Sequence, residues 1–185
     1  MHYSMNINGV NHNLPLCPLN DELMIAGFVI FGNVELTCAA ADGLLKIMPE
    51  CDYMVAPEAK AIPLIHEMAR QSGRNDYFLV RKAPKLYMDG VFETTVRSIT
   101  TEKEQKLYMD GADAKKMKGK RIVIIDDVIS TGESLKAVEQ LVEEAGGIIV
   151  GKMAILAEGA AAKRDDILFL EPLPLFDKEG NPLPL

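Results

Sequence analysis

The 185-residue sequence has no tryptophan, three histidines and three cysteines. So few histidines offer no histidine-based nucleophile arrangement. Cys17, Cys38 and Cys51 are odd in number and lack C-x-x-C spacing, so neither a disulfide framework nor a zinc site is indicated, and reduced, partly buried thiols are expected. Long apolar runs are missing too: the longest, LMIAGFVIFG at 23–32, is about half of what a membrane helix needs. The first residues lack the basic segment and cleavage pattern of a signal peptide. These absences predict a cytoplasmic protein that does not span a membrane. Lys46 is the only Lys or Arg among the first 50 residues, and the net charge is −7 with a pI near 5. Nucleic-acid binding is therefore disfavoured, because phosphate backbones require clustered cations. The G-x-x-x-x-G-K-[ST] string of Walker-type hydrolases does not occur.

What is present suits one ordinary domain with its own core: 185 residues at 48% hydrophobic composition. Residues 1–50 read as a cover, 53–160 as a core and 161–185 as a C-terminal extension. In the cover, YSMNINGVNHNLPL reads as two extended segments around Asn8-Gly9, Asn20 as the cap of a helix starting at DELM, and 37–48 as a second helix. From Tyr53 the pattern becomes strand (YMVAP), helix (AKAIPLIHEMARQSG) and strand (DYFLVR), a parallel βαβ unit. VFETTVRSITT at 91–101 pairs with EQKLYMDG at 104–111 as a long hairpin. The string KLYMDG occurs twice, at 85–90 and 106–111, and is read as similar sequence on two arms of one loop or as coincidence. RIVIID at 121–126 is apolar without alternation, as a central parallel strand covered on both faces should be. A helix carrying Leu135, Val138, Leu141, Val142 and Ala145 on one face follows, then the strand IIVGKMAIL, and then DILFLEPLPLF, broken by Pro172 and Pro174. The chain reads as α/β, a mostly parallel sheet flanked by helices. Its tail from Glu171, with four prolines, is expected to cross the surface in extended form, with Phe176 a candidate lining of a ligand pocket.

Ligands of open parallel sheets collect at the carboxyl ends of the strands. Here those ends run into Pro57-Glu58-Ala59-Lys60, into Arg81-Lys82 with Lys85 nearby, into Asp126-Asp127, and into Ala157-Glu158-Gly159. Ser130-Thr131-Gly132-Glu133-Ser134 leads from strand to helix N-terminus, where unpaired N–H groups and the positive end of the dipole favour an anion. Gly132 permits close backbone approach, the hydroxyls of Ser130, Thr131 and Ser134 add donors, and Glu133 must turn its carboxylate away. A monoester phosphate fits this cup. Adjacent strand residues point to opposite faces, so Asp126 and Asp127 can share one ligand only if the strand ends between or just after them. Two carboxylates beside a phosphate cup suit the vicinal hydroxyls of a ribose and place negative charge near C1 of the sugar. The residues Lys115, Lys116, Lys118, Lys120 and Arg121 lie at the opposite, amino end of the strand and read as solvated surface.

VIIDDVISTGES resembles the phosphoribosyl-pyrophosphate motif of type I phosphoribosyltransferases. The resemblance extends over roughly 53–160 and is nearest to adenine phosphoribosyltransferases: VAPEAKAIPLIHEMA is similar to their pyrophosphate loop and helix, and VRKAPKL to their V-R-K-x-x-K-L. It implies the family's fold, with an N- and C-terminal hood and the hairpin at 91–111 as a mobile active-site loop. It implies that Asp126 and Asp127 bind the ribose hydroxyls as the catalytic pair, that Ser130 to Ser134 hold the 5′-phosphate, and that Glu58, Ala59, Lys60, Arg81, Lys82 and Lys85 attend the pyrophosphate. The implied cofactor is Mg²⁺, bound mainly through phosphoribosyl pyrophosphate rather than in a protein metal site. The implied partners are that substrate, a purine base and a second copy in a homodimer. Adenine is the expected base; hypoxanthine, xanthine or orotate, or a non-catalytic sensor of the same ligands, are the alternatives. Lys60 stands where the family commonly has Arg, keeping charge but losing the planar fork, and Ala61 where it has Gly.

Overall fold

Asn8 and Gly9 both adopt positive φ (45° and 92°) and close a two-residue turn between β1 (His2–Ile7) and β2 (Val10–Pro18), as expected. The computed structural model describes residues 1–97 and 104–185. The helix expected at DELM is instead β3 (Leu23–Ala26), antiparallel to β2. Asn20 does use its side chain as a cap would: Oδ1 accepts from the N–H groups of Glu22 and Leu23, each at 2.9 Å. That contact closes an Asx turn as readily as it starts a helix. Pairing with β2 and alternating burial then select the strand.

The second helix forms as α1 (Val34–Ile47), where Asn33 Oδ1 accepts from the Leu36 N–H at 3.0 Å. The βαβ unit follows as β4 (Tyr53–Pro57), α2 (Ile62–Gln71) and β5 (Phe78–Val80), with Pro63 in the first helical turn and Gly73 at φ 69° beyond the last. The hairpin is β6 (Phe92–Arg97) with β7 (Glu104–Met109); its tip, 98–103, lies outside the described residues. The two KLYMDG copies meet at their ends. Asp89 N–H donates to Asp110 Oδ2 at 3.4 Å, and the Gly90 carbonyl oxygen lies so close to Gly111 that a Cβ there would collide with it. Asp110 also caps a short helix missed by the sequence reading, α3 (Gly111–Met117).

β8 (Arg121–Ile129), α4 (Glu133–Glu144), β9 (Ile148–Glu158) and β10 (Leu168–Leu173) complete the core, with a 3₁₀ turn at Gly159–Lys163. The central sheet has the order β10-β9-β8-β4-β5, parallel throughout. β8 is buried on both faces, as its unbroken apolar run requires. Val123 and Ile125 join the core beneath α1, α2 and the hood, and Ile122 and Ile124 the core beneath α3, α4 and the hairpin. Each such side chain contributes about 2 kcal/mol of burial. Pro172 does not break β10: it pairs with Ala157 on the sheet edge, where a missing N–H is tolerated.

The tail does more than cross the surface. β11 (Phe176–Asp177) adds to β3, so that the hood is a four-stranded sheet of order β1-β2-β3-β11. Phe176 is fully buried there, edge-on to Tyr3 at a centroid separation of 5.0 Å, and is not among the residues lining the cavity at the carboxyl ends of β4, β5 and the acid-bearing strand. Its apolar area is better covered inside the hood than at a ligand site. Among the described residues no helix is long and apolar enough to cross a membrane.

Candidate active site

β8 does not stop at its acids. It continues to Ile129 along β9, with Asp126 opposite Ala154 and Val128 opposite Leu156, whereas its pairing with β4 ends at Ile124. The strand is therefore open on one side only, beside the acid pair. A cavity of about 400 Å³ occupies that opening at the carboxyl ends of β4, β5 and β8. Its wall includes Asp126, Asp127, Lys60 and Lys82, and its floor the cup residues Ser130, Thr131, Gly132 and Ser134.

The acids have different settings. Asp126 Oδ1 turns back to accept from the Asp127 N–H at 2.8 Å. Burial, and then the neighbouring Asp127 carboxylate, push the Asp126 carboxyl above the ordinary acid range, with Lys60 opposing the shift. Asp127 is only 4% exposed. Its Oδ2 lies 2.7 Å from Lys60 Nζ, yet off-line for a hydrogen bond, so a buried oxygen keeps charge compensation without an aligned donor.

The loop after β4 is braced against the end of β5 by Glu58. Its Oε1 accepts from the Lys82 N–H at 2.7 Å, its Oε2 lies 2.6 Å from Arg81 Nε, and its own N–H donates to the Val80 carbonyl at 2.9 Å. The Glu58–Ala59 peptide is cis. Arg81, so held, donates from Nη1 to Tyr87 Oη at 2.9 Å. Lys60 and Lys82 face the cavity together with Glu58 and Ala59; Arg81, Lys85 and Glu133 do not line it. The hairpin reaches the cavity through Leu107.

At the cup, Gly132 occupies the left-handed region (φ 80°) as N-cap of α4 and supplies no side-chain cap. No N-cap side chain closes the first turn of α4, and Glu133 N–H donates to Thr131 Oγ1 at 3.4 Å. With α4 behind it, this is a ready anion site beside two carboxylates.

Two neighbours escaped the sequence reading as site residues. Glu158, at the end of β9, has its carboxyl raised by burial, with the charge of Lys60 opposing the shift. Arg164 backs Gly132: a Cβ on that glycine would lie 2.6 Å from Arg164 Nη1. Glu158 was legible as a strand end; Arg164, thirty-two positions from its neighbour, left no local signal. Among the described residues no group of three or more His, Cys, Asp or Glu could hold a metal by itself. Mg²⁺ commonly binds through one or two carboxylates plus substrate phosphates, and the acid pair beside the cup fits that mode.

A family model for the phosphoribosyl transferase domain matches residues 41–177. The chain is 33% identical over 128 residues to an adenine phosphoribosyltransferase of Thermotoga petrophila, covering 68% of this chain and 71% of that protein. It is 31% identical over 133 residues to a hypoxanthine/guanine phosphoribosyltransferase of Methanococcus voltae, covering 72% and 67%. An orotate phosphoribosyltransferase of Methanopyrus kandleri is 29% identical over 124 residues, covering 66% and 56%. Among solved structures, the adenine phosphoribosyltransferase of Thermoanaerobacter pseudethanolicus superposes with a TM-score of 0.69 at 20% identity, covering 86% of this chain and 95% of that one. That of Rhodothermus marinus gives 0.68 at 23% identity, covering 86% and 94%. At these identities the structural likeness establishes the fold.

Proposed function

The chain belongs to the phosphoribosyl transferase family, and from that premise we propose that it transfers ribose 5-phosphate from phosphoribosyl pyrophosphate to adenine, giving AMP and pyrophosphate in purine salvage. The observation that carries the reading is one cavity walled by a helix N-terminus without a side-chain cap, the adjacent acids Asp126 and Asp127, and two lysines. The amides and hydroxyls of Ser130 to Ser134 hold the 5′-phosphate. Asp127 Oδ2 accepts from a ribose hydroxyl, and Asp126 from its neighbour. The acids lie near C1 as it becomes cationic, and such preorganised groups are each worth about 3 kcal/mol.

Lys60 and Lys82, on the rim beside the Glu58-braced loop, meet the negative charge of the departing pyrophosphate. Asp126 and Asp127, with the substrate's phosphates, would hold Mg²⁺, which would supply further charge neutralisation. Arg81 fixes Glu58, and Lys85 waits outside the cavity to engage pyrophosphate from the loop side. The hairpin at 91–111 excludes water from the activated sugar. A cytoplasmic homodimer is part of the proposal, by analogy with the family.

Adenine is favoured by the adenine enzymes among the relatives and solved neighbours, and by a cavity whose only lining cations are Lys60 and Lys82 among the described residues. Orotate would need further cations for its carboxylate. The hypoxanthine/guanine relative at comparable identity supports a second reading, a 6-oxopurine substrate. Incubating the protein with phosphoribosyl pyrophosphate, Mg²⁺ and separate bases, and following pyrophosphate release, decides between them. Release with adenine alone supports the proposal. Release with hypoxanthine or guanine instead moves the specificity, and none with any base favours a sensor.

A further inference from the structure

Arg164 ends the 3₁₀ turn after β9, and its guanidinium is held by a fork: Nε donates to Asp166 Oδ1 and Nη2 to Asp166 Oδ2, both at 2.8 Å. Asp166 also accepts from Lys152 Nζ at 2.5 Å, and Lys152 Nζ lies 3.4 Å from Glu139 Oε2 on α4. The network therefore ties β9, the loop before β10 and α4 into one frame. Nε and Nη2 are engaged by Asp166, which leaves Nη1 facing the loop at Gly132.

The guanidinium fills the space that a side chain at position 132 would take: among the described residues, and apart from the chain neighbours of Gly132, the atoms within 4 Å of a Cβ built there are Arg164 Nη1 at 2.6 Å and Cζ at 3.8 Å. It also stands beside the N-terminus of α4. A cation there opposes the helix dipole, and an anion bound at the same N-terminus offsets that repulsion. The same loop lines the cavity whose wall includes the buried Asp127 and the half-exposed Lys60 beside it, so an anion held there would sit next to a polar ligand site.

We infer that Arg164 is a positioning residue for the 5′-phosphate: fixed by Asp166, it backs Gly132 so that loop 130–134 offers its amides in one conformation, and it adds positive charge behind the bound phosphate. The inference rests on the proposed phosphate cup and extends it to a residue outside the cavity wall.

The test is calorimetric titration of the full chain and its Arg164→Ala and Arg164→Lys variants with AMP and with adenosine. Arg164→Ala should weaken AMP about tenfold, the scale of one charge-assisted contact, and leave adenosine within about twofold. Arg164→Lys should recover only part of the AMP affinity, because lysine keeps the charge without the fork that Asp166 grips. In turnover, KM for phosphoribosyl pyrophosphate should rise with little change in KM for the base. Equal AMP affinity in Arg164→Ala and wild type, or equal weakening of AMP and adenosine, overturns the inference. If Arg164→Ala does not fold, Arg164→Lys carries the same comparison. If wild-type protein binds no AMP, the proposed function falls instead, and titration with inorganic phosphate decides the role of Arg164: unchanged phosphate affinity in the variant rejects it.

Discussion

Lys60 Nζ lies 2.7 Å from Asp127 Oδ2, joining a half-exposed cation on the loop after β4 to a carboxylate with 6% side-chain exposure on β8. The contact compensates a charge that burial alone would not tolerate, and it places the only lysine of that loop at the cavity wall.

Lys60→Ala should lower stability by about 1–2 kcal/mol in urea titration, because the buried carboxylate loses its partner while the exposed lysine itself gains little. It should also weaken inhibition by pyrophosphate. Unaltered pyrophosphate inhibition would remove Lys60 from the leaving-group site.

Asp127→Asn preserves shape and removes charge. The variant should fold and lose turnover about 100-fold, in line with one preorganised electrostatic group. Full turnover in the variant would detach this carboxylate from the chemistry.

Asp126 has its carboxyl raised from an ordinary 3.8 by burial and by Asp127. The folded protein then holds this proton more tightly than the unfolded chain does. The contribution of Asp126 to stability is therefore best at low pH and declines as pH rises from about 4 through the folded-state value. Asp126→Asn cannot ionise, so its melting temperature should exceed that of wild type at pH 8 and approach it near pH 4. Parallel profiles across that range would show that the group does not titrate as described.

Gly111→Ala should destabilise the protein by about 2 kcal/mol or more, because the new methyl meets the Gly90 carbonyl, which is backbone and cannot rotate away. Hydrogen exchange should speed up first in the β6–β7 hairpin and α3, which join at this point. Protection unchanged there would mean that the two Asp-Gly steps are not clamped together.

What could be read from the sequence was whatever is contiguous in it. The apolar run of β8, the acid pair and the cup occupy 121–134 without interruption, and the alternation of strand and helix around them gave the parallel sheet. Asn20 misled because an Asx turn and a helix cap use the same acceptor geometry, and only pairing with β2 distinguishes them. Phe176 misled because hood strand β11 is completed by β3, about 150 residues earlier in the chain. The expected strand end at Asp126-Asp127 is an opening on one side, since the β4 ladder stops at Ile124 while the β9 ladder runs on to Ile129. Nothing near Arg164 in the chain marks its approach to Gly132; only the folding of β9 and α4 onto one frame does so.

The most direct measurement is a crystal structure with AMP bound. Its phosphate is expected within hydrogen-bonding distance of the backbone amides of residues 131–134, and its ribose hydroxyls on Asp126 and Asp127. A nucleotide seated elsewhere, with that corner free of phosphate, would contradict the proposed function.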